Sequence, residues 1–395
     1  MISRNPINKY TISFFMALLG HSASAAIIID ADAPVVQLRS TTTGGCAEAG
    51  STLNNCFISM ADLVNWINST RKPNASKPLL VNIGPGEFTG FSCLNGGYTT
   101  LRGAGRSNTT IGGPTDFVGV SVSNCTKLDF QDMKVTHKTN AFNTIFWRGN
   151  GTSTWSNVDV IGGSYAWVDT DSTANASSCS LAGRSTHYWF SSRIVATTDV
   201  GLTRGYIAQC SVSWFFGSEI TASVTAAGSI DSIALRVSNN YSEAHVYGSV
   251  IRVTSPTGIS APLVAVHANN GGAIHIHGTG IDVISVEPSP VLALTASGNG
   301  TIHANEAAYN LSTGTGGTVT RISNSGGHIH APYLWAPHSS PPAVATARGA
   351  DMAVEDDCAA SGCQSAGGET HLLISNDNCT GGGGPWFDVV TRSCR

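Results

Sequence analysis

The chain is 395 residues long, and only 12% of it is charged, about half the share usual in a globular protein. Its net charge of −4, the lack of basic clusters and the confinement of every lysine to positions up to Lys138 argue against nucleic acid or an acidic membrane as a partner. β-Branched and aromatic residues continue throughout, which excludes disorder as the meaning of the low charge.

Residues 1–25 read as a secretory signal: basic Arg4 and Lys9, an apolar run from Ile12 to Leu19 and an Ala23-Ser24-Ala25 cleavage site. That run is too short to span a bilayer as a transmembrane segment and no later stretch is long enough, so a secreted or cell-surface protein is expected. Ten cysteines suit an oxidising location. Cys46 with Cys56 would close a short loop. Cys93 with Cys125, and Cys179 with Cys210, are each separated by about one repeat length, which places the partners on neighbouring rungs of a stacked structure. Cys358, Cys363, Cys379 and Cys394 lie in the tail, where three pairings are open.

Residues 26–78 hold an N-terminal loop and a helix over Met60 to Asn68. Ser59 caps it, Leu63, Val64, Trp66 and Ile67 supply an apolar face, and Lys72, Pro73 and Asn74 end it. A strand then runs from Leu79 into a Gly84-Pro85-Gly86 corner and Phe88. Thr99-Thr-Leu-Arg-Gly-Ala-Gly-Arg106 and Thr109-Thr-Ile111 follow.

This order of strand, Pro-Gly-x-aromatic corner, Leu-x-Gly-x-Gly and Thr-x-Ile resembles the opening coils of the pectin-lyase-like, right-handed parallel β-helix superfamily. The resemblance covers residues 60–111 by motif and continues to about 335 by periodicity. It implies an all-β, single-stranded parallel β-helix over 79–335, with the helix covering the open N-terminal end. It implies no single activity. The pectin methylesterase segments Asp-Phe-Ile-Phe-Gly and Gln-Asp-Thr-Leu are missing, and Gln131-Asp132-Met133 matches only two residues of the latter. Trp167-Val168-Asp169-Thr170 only echoes the Trp-Ile-Asp-His of pectate lyases, and Gly327-His328-Ile329 is not the Gly-His-Gly of polygalacturonases.

The repeat is clearest around His275-Ile276-His277-Gly278. Versions of this tetrapeptide begin at His187, Trp214, His245, His303 and His330, in steps of about 27 to 31 residues. A β-sandwich built from hairpins is the minor alternative, since Asn/Gly corners also make hairpin turns. Residues 171–186 read as an insertion. Residues 336–350 form a Pro-rich linker, and 351–395 a Cys/Gly-rich tail that resembles the closing segment of bacterial exported β-helix proteins of unassigned role. The tail reads as a cap over the coil's unpaired C-terminal edges.

Strand alternation sorts the repeat into rows. Small and aliphatic residues flank the column His187, Trp214, His245, His275, His303 and His330, so this column and the row Trp189, Phe216, Tyr247, His277 and Asn305 are expected to face outward. The binding residues expected on this reading are Trp189, Trp214, Phe216, His245, Tyr247, His275, His277 and His303, with a polysaccharide as ligand, because sugar rings pack on aromatic faces. A stacking ladder without a ligand accounts for the same pattern. No Cys or carboxylate on these rows completes a metal set with the histidines, so no metal is expected.

The best carboxylate pair for catalysis is Asp169 and Asp171, with Arg193 and Arg204 about one coil later; a solvated turn is the simpler reading of Asp-x-Asp. No cofactor is implied, and calcium at this pair has no further support in the sequence. The chain therefore reads as an exported, non-catalytic, polysaccharide-facing module. The alternatives are a polysaccharide lyase or hydrolase with a non-standard site, and a structural or adhesive surface protein. The oligomeric state is open.

Overall fold

A computed structural model describes residues 29–331, apart from 49–50, 53, 93–96, 113–118, 124, 138–142, 171–178, 257–258 and 260. It also describes the tail strands Met352–Asp356, Thr370–Ser375, Trp386–Asp388 and Ser393–Cys394, which pair antiparallel. The signal sequence, the linker, Asp171, Cys93, Cys358, Cys363 and Cys379 lie outside the described residues.

Each coil of the repeat contributes three short strands, and each strand pairs in parallel with its equivalent one coil on. In one such coil Glu243–Tyr247 lies on a first face, Val250–Ser255 on a second and Leu263–Asn269 on a third. The next coil places Ala273–His277, Gly280–Ser285 and Pro290–Ser297 directly beside them. Parallel partners cannot be joined by tight hairpins, so this pairing excludes the sandwich. The fold is an all-β parallel β-solenoid. Earlier in the chain, Arg193–Ala208 and Glu219–Ser238 each run over the second and third faces as one strand.

The corner between first and second faces explains the glycine of the repeat. Ser191, Gly217, Gly248, Gly278 and Glu306 hold this position with φ between 48° and 56°, the left-handed region that glycine enters most cheaply. A serine or threonine follows in four of these coils. Ser192, Ser218, Ser249 and Thr279 are buried, and each hydroxyl donates to the carbonyl two residues back.

The inward rows form one continuous core of changing character. Towards the N-terminus it is aromatic: Phe130, Trp155, Trp189 and Phe215 stack in one column, and Trp147, Trp167 and Tyr206 in a second. The columns meet edge to face, as at Trp155 and Trp167, 5.4 Å apart. Further on the same positions turn aliphatic, with Val246, Ile276 and Ala304 continuing the first column and Leu235, Val266 and Leu294 the second.

At the N-terminal end the helix Met60–Trp66 places Met60, Leu63 and Ile67 in the core, while Val64 and Trp66 are partly buried. Ser59 caps it by accepting from the Asp62 N–H, and a π-turn over Ile67–Arg71 carries it past the expected end to Lys72. The disulfides Cys46–Cys56 and Cys179–Cys210 form as their spacing predicts, with Cα atoms 5.8 and 5.4 Å apart. No helix among the described residues is long and apolar enough to cross a membrane.

Candidate functional site

On the first face the side chains that alternation sends outward form two ladders of rings. Trp214, His245, His275, His303 and His330 stack in one, with successive centroids 3.9, 4.7, 5.0 and 4.8 Å apart. Phe190, Phe216, Tyr247 and His277 stack in the other at 5.2, 5.4 and 5.0 Å, and Asn305 takes the next rung. Strand spacing of about 4.8 Å sets this rise. The bordering turns are short: Gly248-Ser249 and Gly278-Thr279 on one side, Asn270-Gly271-Gly272 and Gly298-Asn299-Gly300 on the other. The surface is a flat, open sheet.

Two expected members are elsewhere. His187 and Trp189 are fully buried, because Tyr188 is the residue opposite Trp214 and Phe190 the one opposite Phe216. A slip of one residue exchanges the faces of a strand. Aligning on the His tetrapeptide made that slip; aligning on the corner, Phe190-Ser191-Ser192 with Phe216-Gly217-Ser218, gives the observed register and finds Tyr188 and Phe190. The expectation about ring faces also changes. Planes within each ladder lie 1° to 10° from parallel, so the rings cover one another's faces and present their edges to solvent.

Three of these imidazoles, His245, His275 and His303, are hard to protonate. Partial burial, reinforced by His245 and His303 on either side, holds His275 down at about 4. Burial also lowers His303, with His330 and His277 adding to the effect. In His245 burial outweighs the opposing pull of Glu243, 3.3 Å away.

The three catalytic candidates among the described residues, Asp169, Arg193 and Arg204, do not share a site. Asp169 is not in a solvated turn: it points into the core from the strand Tyr165–Thr170 and is fully buried. Its Oδ2 accepts from His187 Nε2 at 2.7 Å and from the Ser185 hydroxyl, and Ser153 Oγ lies 2.7 Å from His187 Nδ1. The Trp155 indole N–H also donates to Ser153 Oγ, which extends the chain to the aromatic column. Edges and faces of Trp147 and Trp167 enclose the imidazole. Ser153, His187 and Asp169 thus form a hydrogen-bonded chain in which all three side chains are fully buried. Burial raises the Asp169 pKa despite the opposing bonds from His187, Ser185 and the Cys210 backbone.

Arg193 lies on the second face in a ladder of alternating charge. Arg106 and Arg193 flank Asp159 at 3.0 and 3.5 Å, Arg193 and Arg252 flank Glu219 at 3.3 and 3.2 Å, and Arg252 reaches Asp282 at 3.0 Å. Arg204 is on the third face, 5% exposed, lining a cleft of about 410 Å³ with Asn143, Tyr165, Gln209 and Arg236. Burial and these two arginines push nearby His267 down to about 4. Sequence reasoning missed this cleft, since its residues come from separate coils and carry no common motif. Among the described residues no group of three or more His, Cys, Asp or Glu is placed to hold a metal ion.

The fold is thus of the parallel β-helix class that the opening motifs resemble. No protein-family model and no curated protein matches the chain. Among solved structures it is similar to the pectate lyase Pel9A, with 12% identity over 81% of this chain and 84% of that one and a TM-score of 0.46. It is also similar to the A-modules of the Azotobacter vinelandii mannuronan C-5 epimerases AlgE4 (14% identity, 76% of this chain and 98% of that one, TM-score 0.28) and AlgE6 (12%, 71% and 95%, 0.23). At such identities the likeness concerns the path of the coil, and no residue role is carried over from it.

Proposed function

We propose that this chain is an exported, non-catalytic module that holds a polysaccharide along its first face. The observation that carries this reading is the open sheet on which two register-aligned ladders present imidazole, phenol and indole edges in straight rows. A polymer laid along the solenoid axis meets a hydrogen-bonding side chain of the Trp214-to-His330 row at every coil, joined in the second row by Tyr247, His277 and Asn305. Hydroxyl groups of neutral or acidic sugars suit the imidazole nitrogens and the Tyr247 hydroxyl, each a donor or acceptor. The rigid sheet adds little ordering cost on binding.

The non-catalytic part is supported by the dispersal of the candidates. Asp169 is enclosed in the core, Arg193 is held in its charge ladder and Arg204 lies on a different face, so these three described candidates do not converge on one surface. The two disulfides agree with an extracytoplasmic location. The test is incubation of purified protein with a panel of neutral and acidic polysaccharides, following retention of the protein and the appearance of unsaturated or reducing ends. Retention without new ends is expected. New ends from any member would overturn the non-catalytic reading, and no retention by any member would favour a structural or adhesive role.

A further inference from the structure

Within that reading, one feature of the first face selects among polysaccharides. Between His275 and His330 the outer ladder consists of imidazoles alone, one per coil, 5.0 and 4.8 Å apart, with His277 and His328 in the flanking rows. The only carboxylate on a described strand of this imidazole stretch is Glu243, at its N-terminal end, 3.3 Å from His245 and 3.2 Å from Arg184. Glu306 stands at the exposed corner after Asn305. Tyr247 and Tyr188 are also on this face, Arg102, Lys127 and Asp129 lie on its strands several coils nearer the N-terminus, and the charge ladder of Arg193, Glu219, Arg252 and Asp282 belongs to the second face.

We propose that this imidazole ladder is an acid-gated binding strip for polyanionic glycans, taking one anionic group per coil; the proposal rests on the first face being the glycan surface. At neutral pH the strip is a row of uncharged edges. Protons added to it sit on successive coils about 5 Å apart and repel one another, with no carboxylate from His275 onward on the strands to compensate them. A chain of sulfate or carboxylate groups along the axis supplies a counter-charge at each rung. Protonation and binding therefore promote one another, as thermodynamic linkage requires of two events that favour the same state. The depressed basicity of His275, down to about 4, and of His303 places the gate on the acid side. Burial on the flat sheet and mutual repulsion produce that depression, and a bound anion relieves the second cause.

The test compares dextran sulfate with neutral dextran, which share a backbone and differ in a charge that stays ionised across the range. Binding of full-length mature protein is measured at pH 4.0 and pH 7.5, beside the triple variant His275→Gln, His303→Gln, His330→Gln, with its melting transition checked at both pH values. The expected result is at least tenfold tighter binding of dextran sulfate at the lower pH, weakened by salt, and mostly lost in a folded triple variant. An equal acid gain in that variant would overturn the proposal, because the general positive charge acquired in acid would then be responsible. Equal, pH-independent binding of both polymers would overturn it while leaving the glycan reading standing. Single-stranded DNA binding as tightly as dextran sulfate would overturn the restriction to glycans. Failure of both dextrans and of every polysaccharide in the wider panel would remove both readings.

Discussion

Asp169 and His187 are hydrogen-bonded at 2.7 Å with both side chains fully buried, so a carboxyl–imidazole contact lies within the aromatic core. The bond joins neighbouring coils, and Ser153, on the same coil as Asp169, meets the other nitrogen of the imidazole. Such a contact is destabilising to break and difficult to replace, because each partner leaves the other unsatisfied in a dry environment.

Replacing Asp169 with Ala is accordingly expected to destabilise the solenoid by about 3–5 kcal/mol, because it deprives two buried partners, His187 Nε2 and the Ser185 hydroxyl, of their carboxyl acceptor at about 1–3 kcal/mol each. Ser153→Ala removes a neutral partner and should cost about 1–3 kcal/mol. Denaturant midpoints measured on both variants check the order. The raised pKa of Asp169 also fixes a sign. In the fold it keeps its proton to higher pH than the unfolded carboxyl, so it contributes stability below the ordinary value of 3.8 that is lost as pH rises through the folded value.

The histidine ladder has the opposite sign. The unfolded chain takes up a proton at the His275 position near 6.5, whereas the fold resists it down to about 4. Stability from this residue is complete above 6.5 and falls as pH decreases towards 4. Melting temperatures recorded across that interval without ligand should decline, and His275→Gln should make the decline shallower.

Glu306 occupies a left-handed corner that glycine fills in three other coils, with φ 56°. Removing its side chain relieves a strain of about 1–2 kcal/mol, partly offset by the greater freedom of glycine in the unfolded chain. Glu306→Gly should therefore stabilise the protein slightly, and Gly278→Val should destabilise it by more. Thermal unfolding of the pair distinguishes the corner effect from a general tolerance of the turn.

Glu219 separates Arg193 from Arg252 in the charge ladder. With Glu219→Gln the two guanidinium groups lose their shared anion, and a loss of about 1 kcal/mol is expected at low salt, since exposed pairs are individually weak but gain in networks. The difference from wild type should shrink as salt is added, because these side chains are partly exposed and screened.

These relationships were unevenly legible in the sequence. The solenoid, the Cys179–Cys210 disulfide and the outward stack from Trp214 to His303 follow from periodicity, because each rests on a residue type recurring at one coil's spacing, whereas Cys46–Cys56 follows from the short loop it closes. The core knot does not. Nothing in Trp167-Val-Asp-Thr-Asp171 marks Asp169 as inward; its orientation is set by a register with Trp147 and Ala208 on neighbouring coils, and its partners come from strands 16 to 18 residues away. Trp189 was misplaced for a related reason. A tetrapeptide match tolerates an error of one residue, whereas the face of a strand reverses with it, and the serine corner carried the better alignment. The stacking of ring faces is a consequence of side-chain rotamers on adjacent parallel strands, to which a single sequence gives no access.

The account turns on the first face being the glycan surface. The direct measurement is the affinity, for whichever polysaccharide retains the wild type, of the double variant Tyr247→Ala, His275→Ala beside Arg236→Ala in the third-face cleft, all confirmed folded by their melting transitions. The predicted result is a loss of at least about tenfold, roughly 1.4 kcal/mol, for the ladder variant and an unchanged affinity for Arg236→Ala. Full affinity in the ladder variant together with a loss in Arg236→Ala would contradict it and move the glycan to the third face.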